Sequence, residues 1–121
     1  MRRFLALTTL AAALAASAVL SAAASTTSNV AGFSVAPGST HYGQKTVTAK
    51  AGLVRINFTN NSTAAHNVSL EHNGEFEYGA TLTIHKGIAT TFLTLAKGTY
   101  HVYSSVGKDE DRGMAATLIV K

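Results

Sequence analysis

The side chains best equipped for chemistry in this 121-residue sequence are few and widely spaced. His66 shares its parity with Val68 and Leu70. An imidazole on the apolar side of a strand needs either a buried hydrogen-bond partner or a metal ion. Met114 follows Gly113 at the start of the last apolar run, where a thioether suits either a gap in a core or a soft metal ion. Asp109 lies in Lys108-Asp109-Glu110-Asp111-Arg112, a mixed-charge run with the composition of a solvated loop tip. His72, with Glu71, Glu75 and Glu77 around Asn73-Gly74, forms a second group of potential cation ligands. Alternating charge around Asn-Gly is equally the mark of an exposed hairpin. Ser104 stands beside Ser105 without an evident His-Asp relay, no paired carboxylates sit on an apolar background, and no glycine-rich phosphate cradle is present. Enzyme activity is therefore not expected.

The elements that must position these residues read as strands. Leu53 to Thr59 is the cleanest, with Val54, Ile56 and Phe58 on one face and Arg55, Asn57 and Thr59 on the other. Val30 to Val35 and Lys45 to Lys50 precede it, separated by a turn at Pro37-Gly38-Ser39 and a loop at His41-Tyr42-Gly43. Next come His66 to Leu70, a polar loop over 71–79, then Ala80 to Ile84 and Ile88 to Leu95, read as joined by a hairpin turn at His85-Lys86-Gly87. A Tyr-initiated strand places Tyr100, Val102 and Ser104 on one face and His101 and Tyr103 on the other. After a polar loop and a turn at Gly113-Met114, Ala115 to Val120 closes the chain. Seven or eight short strands without a helical period predict an all-β, Greek-key β-sandwich.

Residues 1–24 differ from the rest. Arg2 and Arg3 precede an Ala/Leu run, and Ala22-Ala23-Ala24 offers small residues at the cleavage positions of a secretory signal peptide. The expected organisation is a signal peptide over 1–24, an N-terminal segment with the first strand over 25–44, and the remainder of one domain over 45–121. The location expected is secreted or periplasmic, with membrane attachment only if the leader stays uncleaved. Removing Arg2 and Arg3 lowers the formal charge from +4 to about +2. The remaining cations are scattered, which excludes a nucleic-acid partner. With no Cys there is no disulfide, so stability must come from the core.

Three segments resemble the cupredoxins, the small blue copper proteins such as plastocyanin, rusticyanin and sulfocyanin. AGLVRINFTNNSTAAHNV is similar to the stretch in which a Gly turn, an apolar strand and an Asn-rich loop lead into His-Asn. LAKGTYHVYSSV is similar to the strand that ends in the family's Cys, and RGMAATLIVK to its Gly-Met and closing strand. The longer-loop members space their loop as Cys, four residues, His, four residues, Met; this chain keeps that spacing with Ser104 at the Cys position and Asp109 at the His position. The resemblance makes His66 the first His ligand, Met114 the axial thioether and Asn67 the Asn that ties the first ligand strand to the loop. Tyr103 takes the place of an outward aromatic where a partner docks, so it is an interaction candidate.

The two departures alter the chemistry. Blue copper depends on a short bond to a thiolate with two imidazoles in the trigonal plane. A hydroxyl is a hard, weak donor, and a carboxylate in place of an imidazole shifts the set further toward hard ions. The expectation is a degenerate type 1 site with no cofactor, in a domain that works as a binding or interaction module for an unidentified protein or ligand. The alternative is weak copper holding or delivery through His66 and Met114, with Asp109 as a third candidate ligand; a blue-copper electron carrier is the remaining reading.

Overall fold

The computed structural model describes residues 27–72 and 77–121. The leader over 1–24 lies outside the described residues, as do Glu75 and the Asn73-Gly74 turn. Eight strands run in the order β1 (Val30–Val35), β2 (Thr46–Ala49), β3 (Gly52–Asn60), β4 (Ser69–His72), β5 (Glu77–Ala80), β6 (Gly87–Leu95), β7 (Gly98–Tyr103) and β8 (Ala115–Val120). They form a three-stranded sheet in the order β1-β3-β6 and a five-stranded sheet in the order β2-β8-β7-β4-β5. β1 pairs parallel with β3, and β2 parallel with β8; the other ladders are antiparallel. Among the described residues, no helix is long and apolar enough to cross a membrane.

Alternation explains the packing of both sheets. Val54, Ile56 and Phe58 of β3 are fully buried, as are Val102 of β7 and Leu118 of β8, and they meet between the sheets. Each large side chain so enclosed contributes about 1.5–3 kcal/mol of burial free energy, the main support of a chain without disulfides.

Two local expectations need correction. His66 to Leu70 is not one strand: His66 makes an isolated bridge to Ile84, and regular pairing begins at Ser69. Asn67 and Ser69, which strand alternation with Val68 and Leu70 turns to an outer face, are buried with their neighbours. An alternation argument presumes one wet face, and here a polar loop covers the second. Nor do Ala80 to Ile84 and the His85-Lys86-Gly87 turn form a hairpin with the next strand. The strand is β5, Glu77–Ala80, mostly inside the stretch read as a polar loop, and it pairs with β4, whereas β6 crosses to the other sheet and pairs with β3. Turn residues specify that the chain reverses; they do not specify which strand it then joins.

Candidate functional site

The loop between β7 and β8 builds the site through its own backbone. The Asp109 amide donates to the Val106 carbonyl, the Arg112 amide to that of Lys108, and the Met114 amide to that of Asp109. These bonds wind 106–114 into consecutive turns, so Asp109 is directed inward while Glu110, Asp111 and Arg112 stay exposed. Gly113 has φ 98°, in the left-handed region that favours glycine, and lets the chain enter β8 immediately after the turns. Asp109 is only 5% exposed, which corrects the solvated-tip reading of its sequence neighbourhood.

Two side chains converge on one oxygen of a third. Asp109 Oδ2 accepts a hydrogen bond from Ser104 Oγ at 2.7 Å and lies 2.7 Å from His66 Nδ1. Ser104 is 1% and His66 2% exposed. An ionised carboxylate only accepts, so this contact puts a proton on Nδ1 and, in a neutral ring, leaves the lone pair on Nε2. Nε2 is buried and has no hydrogen-bond partner among the described residues. The other carboxylate oxygen, Oδ1, lies 3.8 Å from Arg112 Nη1. Met114 is fully buried within the apolar core, and its backbone carbonyl accepts from the Ser104 amide at 3.3 Å.

Asn67 holds the segment bearing His66 against the loop. Its Oδ1 accepts from the Ser105 amide at 2.9 Å, and its Nδ2 donates to Ser105 Oγ at 2.8 Å. The carbonyl of Asn67 accepts from the Tyr42 hydroxyl at 2.5 Å. Tyr42, read from sequence as part of a loop, is a core residue packed on Phe33 and Phe58 with ring centroids 5.7 and 6.2 Å away. Nothing in its Thr40-His41-Tyr42-Gly43 setting marks it beyond being aromatic.

Burial, reinforced by the nearby Asp109 charge, raises the Tyr42 phenol well above its ordinary value of 10.0. A raised phenol keeps its proton in the folded state at pH values where the unfolded chain releases it. Its stabilisation is complete below pH 10 and falls as pH rises beyond it, by about 1.4 kcal/mol per pH unit for one proton. Urea unfolding between pH 9 and pH 11 should show that fall, and Tyr42→Phe should remove about one proton from the slope. An unchanged slope in the variant would assign the alkaline loss to other groups.

His72 and Tyr103 lie apart from this cluster. The His72 ring stacks on Tyr100 with centroids 4.4 Å apart, and its Nε2 approaches Gly98. Tyr103 stacks on His101 at 5.4 Å, and His101 Nε2 lies 2.7 Å from Glu110 Oε2. Partial burial, followed by the charges of Glu71, Glu77 and Glu110, raises the Tyr103 phenol. Among the described residues, no three His, Cys, Asp or Glu side chains gather as a metal-binding group.

A cavity of about 500 Å³ opens beside the converging triad. Ala64, Ala65 and Val106 line it together with His66, Asp109 and the cations Lys108 and Arg112. Sequence reasoning missed it because 64–65 and 106–112 meet only when the β7-β8 loop folds back over the segment before His66.

A protein family described as PQQ-associated matches residues 8–121. The chain belongs to the PQQ-associated family. No curated protein gives a significant match. Among solved structures, a dithionite-reduced auracyanin from Roseiflexus castenholzii superposes with a TM-score of 0.72 at 19% identity, covering 79% of this chain and 99% of that one. Auracyanin A of Chloroflexus aurantiacus, a blue copper protein, gives 0.69 at 18% identity over 76% of this chain and 98% of its own. A rusticyanin variant gives 0.66 at 17% over 80% and 79%. This member of the PQQ-associated family therefore has the cupredoxin fold.

The residues present do not fit the copper centre that the fold implies. The chain has no thiol, and the Ser104 hydroxyl at the corresponding loop position spends its proton on Asp109. The carboxylate at the position of the second imidazole is turned on His66 and Ser104. Nor is this a nucleophilic relay. In an activated serine the hydroxyl faces an imidazole backed by a carboxylate, whereas here the carboxylate lies between the hydroxyl and the imidazole.

Proposed function

We propose that this chain is an extracytoplasmic cupredoxin-fold domain that has exchanged type 1 copper for an internal hydrogen-bonded centre and works as a binding or interaction module. The observation that carries the reading is the single oxygen, Asp109 Oδ2, lying 2.7 Å from both Ser104 Oγ and His66 Nδ1. Ser104 Oγ and His66 Nδ1 are engaged by Asp109, and the thiolate that gives blue copper its short bond is missing. Extracytoplasmic placement rests on the signal-peptide pattern of residues 1–24. The family description associates these chains with PQQ, pyrroloquinoline quinone. Tyr103, half-buried on the outer side of β7, remains the candidate for protein contact.

A second reading draws support from one atom. His66 Nε2 is a buried nitrogen without a partner, and a carboxylate on the opposite ring nitrogen is the arrangement that orients a metal-binding imidazole. With the Met114 thioether it would suit weakly held Cu(I), for storage or delivery.

A copper titration separates the two. The purified chain is titrated with Cu(II), and then with Cu(I) under reductant, while heat and visible absorption are recorded. The module reading expects no saturable binding of either ion and no colour. Stoichiometric Cu(I) binding tighter than about micromolar, roughly 8 kcal/mol, that disappears in Met114→Ala would replace it with the copper-holding reading.

A further inference from the structure

The cavity beside the triad combines features that the hydrogen-bonded centre does not use. Its volume of about 500 Å³ lies in the range of small-molecule sites, roughly 300–1,000 Å³. One wall is apolar, made by Ala64, Ala65 and Val106. Lys108 and Arg112 contribute two cations, and Asp109 one carboxylate. That carboxylate is already engaged, with His66 and Ser104 on Oδ2 and Arg112 facing Oδ1. Lys108 enters no ion pair among the described residues. The balance at the cavity is thus positive, which favours an anion over a cation.

A second, independent observation points to a ligand. His66 is almost fully buried, lines the cavity and carries an Nε2 without a partner. Buried polar atoms left without a partner cost about 1–3 kcal/mol, so such atoms in native proteins generally find a partner in a bound molecule or water. With Nδ1 facing Asp109, Nε2 of the neutral ring is an acceptor, and the ligand group that matches it is a hydrogen-bond donor.

We propose that this cavity binds a small organic anion, a carboxylate carried on an apolar body that also presents an N–H or O–H group. Lys108 and Arg112 hold the carboxylate, the Ala64, Ala65 and Val106 wall receives the apolar body, and His66 Nε2 accepts the donor. The proposal deepens the module reading and rests on it, since it requires Asp109 to be occupied with His66 and Ser104 rather than with a metal.

Calorimetric titration of the purified chain tests it with three probes. Pyrroloquinoline quinone carries carboxylates and a ring N–H on a flat ring system, quinoline-2-carboxylate keeps one carboxylate, and quinoline has none. Saturable one-to-one binding is expected for the first, weaker binding for the second and none for the third. Lys108→Gln and Arg112→Gln, both at exposed positions that the core does not need, should each weaken quinone binding at least about tenfold. Lys97→Gln removes one exposed charge at the end of β7 opposite the cavity loop and should leave it unchanged. Absence of saturable binding, equal binding of neutral quinoline, or an equal loss in Lys97→Gln overturns the site. Failure of the copper-free reading is distinguishable, because it is recorded by copper uptake of the same preparation without any organic probe.

Discussion

Copper(II) added to the Ser104→Cys, Asp109→His double variant gives a strongly coloured protein, whereas the parent chain stays colourless. Ser104 Oγ and His66 Nδ1 already lie 2.7 Å from one point, the Oδ2 atom of Asp109, so the backbone directs two donors toward a common centre. Replacing the hydroxyl by a thiolate supplies the short, covalent bond from which colour arises, and an imidazole at 109 completes the trigonal set. The support around the centre is retained: Asn67 still accepts from the Ser105 amide, and Met114 keeps its place after the Gly113 turn. Visible absorption and metal content measured together decide the matter. A folded double variant that binds no copper, or binds it without colour, would show that the loop does not align its side chains as the four-and-four spacing implies.

The second large effect is on stability. Asp109→Ala strips the partner from two buried groups at once, the Ser104 hydroxyl and His66 Nδ1. Each group left unpaired in the interior costs about 1–3 kcal/mol, so a loss of about 3 kcal/mol is expected. For a domain of this size that lowers Tm by roughly 10–20 °C. Asp109→Asn, which keeps the shape and one acceptor oxygen, should fall between the variant and the parent. Urea unfolding of the three proteins measures the series. A change below about 0.5 kcal/mol in Asp109→Ala, the range of ordinary surface substitutions, would mean that the carboxylate does not hold the site together.

The Asp109 contacts can do for this loop what a bound ion does for a cupredoxin loop. A metal fixes a loop by drawing several side chains to one centre; here Asp109 draws Ser104 and His66 together from within the chain. These bonds hold the loop from within the chain and give the cavity bounded by Lys108 and Arg112 a fixed wall. A binding module benefits from such preorganisation because less ordering remains to be done when a ligand arrives.

Strand existence was legible from sequence wherever one face is wet and one dry. Val54, Ile56 and Phe58, and later Tyr100 and Val102, alternate with polar neighbours because water on one side and the core on the other impose a period of two. The pattern failed at His66 to Leu70, where the loop covers what would have been the wet face and Asn67 and Ser69 are buried in a polar network. It also could not tell that β6 leaves its sequence neighbour β5 for β3, since local turn chemistry carries no information about distant partners.

By itself the sequence determined the all-β class, the loop spacing of Ser104, Asp109 and Met114, and the lack of any thiol, because each of these is a property of residue type and position along the chain. Only the tertiary structure decided that Asp109 leaves its charged neighbours to bond His66 and Ser104, that Tyr42 turns into the core, and that Lys108 and Arg112 share a cavity with Ala64 and Ala65. The physical reason is separation: His66 and Asp109 are 43 residues apart, and whether a carboxylate meets solvent or an imidazole depends on how two sheets pack and where the loop between β7 and β8 closes over them.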